Sequence, residues 1–169
     1  MFSDAERDSI TIVSDRMYRH EVLRVNYTTY DMRRAQDSVN VRTSPYIMAL
    51  AHEDNDEEAD WHPYWYAKVL SVFHVKVRMV GHPDTQKIDV LWVQWFGRDP
   101  DHKGGFSTRR LHRIGLMDPE DPASYGFLDP SDVLRAVYLI PVFSSGRTPS
   151  EGADSDRDAT KWEFYYVSM

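Results

Sequence analysis

Between Tyr64 and Val80 the chain reads YWYAKVLSVFHVKVRMV, and its second half alternates: Val75, Val77 and Met79 are apolar, His74, Lys76 and Arg78 polar. Such alternation places successive side chains on opposite faces of an extended strand. GHPDTQK follows with glycine, proline and aspartate suited to a turn, and IDVLWVQWF then returns rich in β-branched and aromatic residues. A long hairpin is predicted. Shorter runs of the same character, EVLRVNYTTY, YIMALA, RAVYLIPVF and WEFYYV, predict further strands, with Pro63, Pro119, Pro122, Pro130 and Pro141 punctuating the intervals. No stretch sustains helical periodicity. DPSDVLRAV predicts one helical turn capped by Ser131 or Asp132, and YDMRRAQDS a second short helix. The expected fold is therefore all-β, or mainly β with one or two short helices. Its sheet twists and curls into a small, distorted, partly open barrel with long loops.

Two segments interrupt this pattern. EDNDEEAD at 53–60 and SSGRTPSEGADSDRDAT at 144–160 are poor core material and read as loops. Strand-like sequence resumes beyond each, so both are expected to interrupt one domain spanning 1–169. That domain comprises N-terminal strands and flank (1–52), the acidic loop (53–60), a central motif region (61–143), a mobile loop (144–160) and a C-terminal strand (161–169). With 169 residues and 41% hydrophobic content, such a chain can bury a core without staples. Its lack of cysteine excludes a disulfide scaffold, a thiol nucleophile and a cysteine zinc finger, and suits a reducing compartment. MFSDAERDSI lacks the basic and apolar regions of a secretory leader, and no window approaches the roughly 20 apolar residues of a membrane span.

Net charge is −7, but the run at 53–60 holds six acids and no base, which leaves −1 for the rest. A nucleic-acid surface would have to be a local patch. Two stretches qualify: Arg16 to Arg34, with five arginines against Glu21 and Asp31, and KGGFSTRRLHR, with four bases and no acid. Arg33, Arg34, Arg109, Arg110 and Arg113 are the candidate phosphate contacts. The seven histidines, His20, His52, His62, His74, His82, His102 and His112, show no zinc- or iron-site spacing, so no metal site is expected. GxSxG and phosphate-loop motifs are absent, and no enzymatic activity or cofactor is expected.

Aromatic density is the most unusual feature. Trp61, Tyr64, Trp65, Tyr66, Trp92, Trp95 and Phe96 fall in the two hairpin strands or beside them. Alternation sends Trp65 and Tyr66, and likewise Trp95 and Phe96, to opposite faces. One face can fill the core while the other shows rings to a groove. Rings facing solvent can take a methylated ammonium through cation–π attraction, with help from a carboxylate such as Asp99 or Asp101.

Three segments in order, YWYAKVLSVF, VLWVQWFGR and SDVLRAVYLIPVF, resemble the signature segments of bromo-adjacent homology (BAH) domains. HPYWYA, LWVQWFGRDPDH, RLHRIG and YGFLDP also resemble a fungal BAH-like family found with KDZ-type transposon proteins. The resemblance covers residues 61–143. It implies a β-rich distorted barrel serving as a nuclear, non-enzymatic chromatin module that docks a histone tail or another chromatin protein. Carried over by position, it implies cage residues at Trp65 and Trp95, an assisting carboxylate at Asp101, and a later ring from Tyr125 or Phe127. The transposon likeness implies the alternative of a nucleic-acid-binding accessory domain.

Overall fold

A computed structural model describes residues 9–51, 64–81, 83–105, 108–147 and 162–168. The acidic run 53–60, positions 148–160 of the second loop, and Trp61 lie outside the described residues. The structure is mainly β, as expected. The predicted hairpin is its axis: β5 (Tyr64–Met79) pairs antiparallel with β6 (Thr85–Arg98) over nearly its full length. On the outer side of β5, β4 (Tyr46–Leu50) pairs with the first half, and β1 (Ile10–His20) with the second. On the far side of β6, β7 (Arg113–Leu116) takes the end at Phe96–Arg98, and β8 (Tyr125–Leu128) takes Leu91–Gln94.

The remaining strands give the sheet its curl. β9 (Val133–Ala136) pairs with β4, β10 (Tyr138–Pro141) pairs with β11 (Tyr165–Ser168), and β11 pairs with β7. The sheet path runs β10-β11-β7-β6-β5-β4-β9 and stays open. Its two ends are consecutive in the chain, however, separated by Val137 alone, whose N–H donates to the Tyr46 carbonyl at 3.0 Å. A sheet whose ends are one residue apart has to coil strongly on itself. RAVYLIPVF, read as one strand, is thus two strands meeting at Val137.

Two cores lie on either side of this sheet. The inner one gathers Met48, Tyr66, Ile114, Val137 and Val167, with Tyr46, Phe96, Leu139 and Tyr165 packed against them. The outer one contains Ile47, Ala67, Val69, Val72, Leu91, Val93 and Leu128. It is covered by a separate hairpin, β2 (Leu23–Thr28) with β3 (Arg34–Val39), which contributes Val25 and Val39. The upper half of the β5–β6 hairpin is therefore buried on both faces.

Several predicted elements change. YDMRRAQDS is not a helix: Thr29 and Arg33 close a tight turn with Met32 at φ +62°, and Arg34 starts β3. Cross-strand pairing with β2 outweighs the weak helical propensity of so short a segment. DPSDVLRAV forms one 3-10 turn, Pro130–Asp132, before β9. Its cap is Asp129 rather than Ser131 or Asp132: the carboxylate accepts from the Ser131 N–H at 2.8 Å and its hydroxyl at 2.7 Å. Those bonds hold the Asp129 carboxyl below its usual range. β1 was not legible because Ser14 and Asp15, both at positive φ, interrupt its alternation.

Leu91 is fully buried in the outer core. Leu91→Ala is expected to lower stability by about 2–5 kcal/mol, measured by urea unfolding, with a loss below about 1 kcal/mol contradicting that placement.

Candidate functional site

Alternation along β5 and β6 decides which rings are available. Trp65, Ala67 and Val69 share a face with Leu91, Val93 and Trp95, because Ala67 pairs with Trp95 and Val69 with Val93. This is the face of the outer core, and Trp95 packs directly on it. Trp65 is the diagonal neighbour of Trp95, with ring centroids 5.4 Å apart and planes at 74°. Each indole thus uses part of its surface on the other in an edge-to-face pair. The pyrrole edge of Trp95 also lies against β8. A Cβ at Gly126 would stand 2.7 Å from its Nε1, so only glycine lets β8 pass at this distance.

Tyr125 and Phe127 point the other way. Phe127 pairs with Trp92 and Tyr125 with Gln94, while Gly126 between them pairs with Val93. Trp92 stands 6.4 Å from Tyr125, and Phe73 stands 6.4 Å from Phe127, the latter pair edge to face at 86°. The five residues expected to build a cage are therefore divided: Trp65 and Trp95 line one face, Tyr125 and Phe127 the other. Asp101 lies beyond the paired part of the strand. It is exposed on the turn after β6, and its N–H donates to Asp99 Oδ1 at 2.9 Å. Asp99 itself is buried and forms an ion pair with Arg113, whose guanidinium lies over the Phe164 ring at 5.1 Å.

The second face forms a groove of about 580 Å³. Trp92, Phe73 and Phe127 supply its aromatic walls, Met17 and Leu70 its aliphatic ones, and Arg19 and Ser71 its polar groups. Trp92 is 44% exposed, Met17 63% and Phe127 74%. The apolar surface continues down the arm through Val75 and Ile88, which pair with each other, while Val75 also pairs with Met17. Contiguous apolar exposure of this kind makes the face the candidate docking surface. Trp92 is one of the aromatic residues clustered in the sequence, whereas the signature motif places the cage tryptophan at Trp95. Three positions apart on one strand, the two indoles have to face opposite ways.

The candidate phosphate contacts are divided as well. Arg109, at φ +54°, and Arg110 are exposed on the loop between β6 and β7, where Arg110 bridges to Gly105. Arg113 is held by Asp99. Arg33 pairs with Asp31 at 3.0 Å on the β2–β3 turn, and Arg34 pairs with Thr28 at the start of β3.

Among the histidines, His52, His62 and His82 lie outside the described residues. His20 and His74 are 54 positions apart in sequence, yet His20 Nε2 and His74 Nδ1 lie 2.7 Å apart. The Tyr18 ring stacks on His74 at 4.7 Å. Loss of hydration, then the neighbouring Lys87 and His20, holds His74 below the usual histidine range. Sequence spacing gave no hint of this pair, because strand register creates it.

No family model, curated protein or solved structure matches the chain.

Gly126→Ala is expected to push Trp95 from its seat. A stability loss of about 1–3 kcal/mol, accompanied by a shift in tryptophan emission, would support the close approach. Unchanged stability and emission would contradict it.

Proposed function

We propose that the chain is a non-enzymatic interaction module that docks a peptide segment of a chromatin protein on the outward aromatic face of the β5–β6 arm. The observation carrying this reading is the groove built by Trp92, Phe73, Phe127 and Met17. Its Trp92 and Phe127 rings are exposed in the folded chain and have few rotatable bonds, so a guest can bury large apolar area at low entropic cost. The groove offers weak polar chemistry: one serine hydroxyl and one guanidinium, with no acid or histidine among the described residues that line it. That composition suits binding rather than bond-making. The chromatin and nuclear setting rests on the BAH resemblance, with which a mainly-β, strongly coiled sheet agrees.

The chemistry of the guest follows from Arg19. A guanidinium in an apolar groove without a carboxylate favours an aspartate or glutamate beside an aromatic or long aliphatic anchor. It disfavours a methylated lysine. The methyl-lysine form of the expectation draws no separate support from Trp65 and Trp95, whose rings pack edge to face on each other.

A peptide array read with the purified chain tests this. It should carry acidic–aromatic peptides beside methylated and unmethylated lysine-rich tails. Capture of acidic–aromatic peptides is expected, and Trp92→Ala and Phe127→Ala should each weaken it by about tenfold, or ~1.4 kcal/mol, with the fold intact by circular dichroism. Capture of methylated tails, lost on Trp65→Ala, would overturn the assignment. So would a DNA complex that weakens steeply with salt and depends on Arg109 and Arg110.

A further inference from the structure

The opposite face of the same arm carries a different chemistry. Tyr18 pairs with His74, and His74 pairs with Asp89, so one row crosses β1, β5 and β6. His20, two positions beyond Tyr18, comes to the same side. One ligand-competent atom from each of His20, His74 and Asp89 lies within 4.8 Å of the other two. We propose that these three side chains form a binding site for a borderline divalent transition metal ion, with Zn²⁺ as the natural occupant.

The geometry supports the assignment in three ways. First, the ligands come from three adjacent strands whose ladder fixes their spacing, so the site is largely assembled before an ion arrives. Second, two imidazoles and one carboxylate match the ligand preferences of zinc and its neighbours, whereas Mg²⁺ and Ca²⁺ favour all-oxygen sites. Third, the distances are reachable. Two nitrogens bound to one Zn²⁺ at ~2.1 Å in tetrahedral geometry stand ~3.4 Å apart. The His20 and His74 nitrogens, at 2.7 Å, need only open slightly, while Asp89 closes in by side-chain rotation. With three protein ligands a fourth position is left for water.

The positive groups facing the site do not close it. Lys87 bridges Asp89 at 2.7 Å, but both side chains are about half exposed, and such pairs are weakly held in water. Lys76 pairs across the ladder with Lys87 and lies over the Tyr18 ring. A bound ion would displace the Lys87 ammonium from one carboxylate oxygen. It would also tie the end of β1 to the hairpin. In β1, Ser14 and Asp15 sit at positive φ where the register with β5 shifts.

The test uses the whole chain, freed of metal with chelator and titrated with ZnCl₂ by calorimetry, with CoCl₂ absorbance as a second readout. One ion per chain is expected, retained in excess MgCl₂, with Co²⁺ giving the intense visible bands of a tetrahedral site. His20→Ala and His74→Ala should each weaken uptake by about tenfold or more, the scale on which even outer-shell changes act. Asp89→Asn should weaken it too, while His102→Ala leaves it unchanged. In the unaltered chain, Zn²⁺ should shift the ring resonances of His20 and His74 together, ahead of the other histidines, an arm that no folding defect can confuse. Absence of saturable uptake, displacement by MgCl₂, uptake indifferent to both histidine variants, or resonance shifts centred on other histidines would each overturn the site.

Discussion

One additional residue in β5 organises this molecule. Above it Val69 pairs with Val93, and below it Ser71 pairs with Trp92, so Leu70 is the extra member of the ladder. A strand gaining one residue against its partner exchanges the faces of everything beyond that point. With the insertion, Val72 rejoins the outer core beside Leu91, and His74 follows it on that side. Phe73, Val75 and Val77 are turned to the other. Unbroken alternation would bring Ser71 to the core and leave Val72 outside it.

Both surfaces of functional interest follow from that exchange. On one side of the arm, Phe73 and Trp92 meet Phe127 and form an apolar groove. On the other, His74 meets His20 and Asp89. β1 serves both, with Met17 and Arg19 on the groove side and Tyr18 and His20 on the histidine side. The two chemistries are separated by the thickness of one sheet. Higher in the hairpin the same alternation is spent on packing: Tyr66 and Phe96 enter the inner core, while Trp95 packs on the outer one with Trp65 edge to face against it. The aromatic density of the two strands thus divides into rings that hold the fold and rings that are left exposed.

How much of this was legible in the sequence varies with the range of the interaction. The β5–β6 hairpin was readable because Val75, Val77 and Met79 alternate with His74, Lys76 and Arg78, and a Gly-Pro-Asp turn separates the arms. β4 and β11 were readable from compact apolar runs. β1 was not, since its bulge breaks the pattern, and β3 was obscured by the helix-like charges of YDMRRAQDS. For the site, the abundance of rings was plain but their direction was not. A motif read without the strand's parity selected Trp65 and Trp95, where packing claims them, and grouped them with Tyr125 and Phe127, which face away. Arg113 looked like a free cation because nothing local reveals Asp99 beneath it. The His20–His74 approach depends on a register between β1 and β5 that no short spacing encodes.

Hydroxyl-radical footprinting with residue-level mass spectrometry reads the orientation of these side chains most directly. Trp92 and Phe127 are predicted to be labelled faster than Trp65 and Trp95 in the native chain, with the difference vanishing on unfolding. Faster labelling of Trp65 and Trp95, with Trp92 protected, would contradict the placement of the extra residue at Leu70 and the outward aromatic face that follows from it.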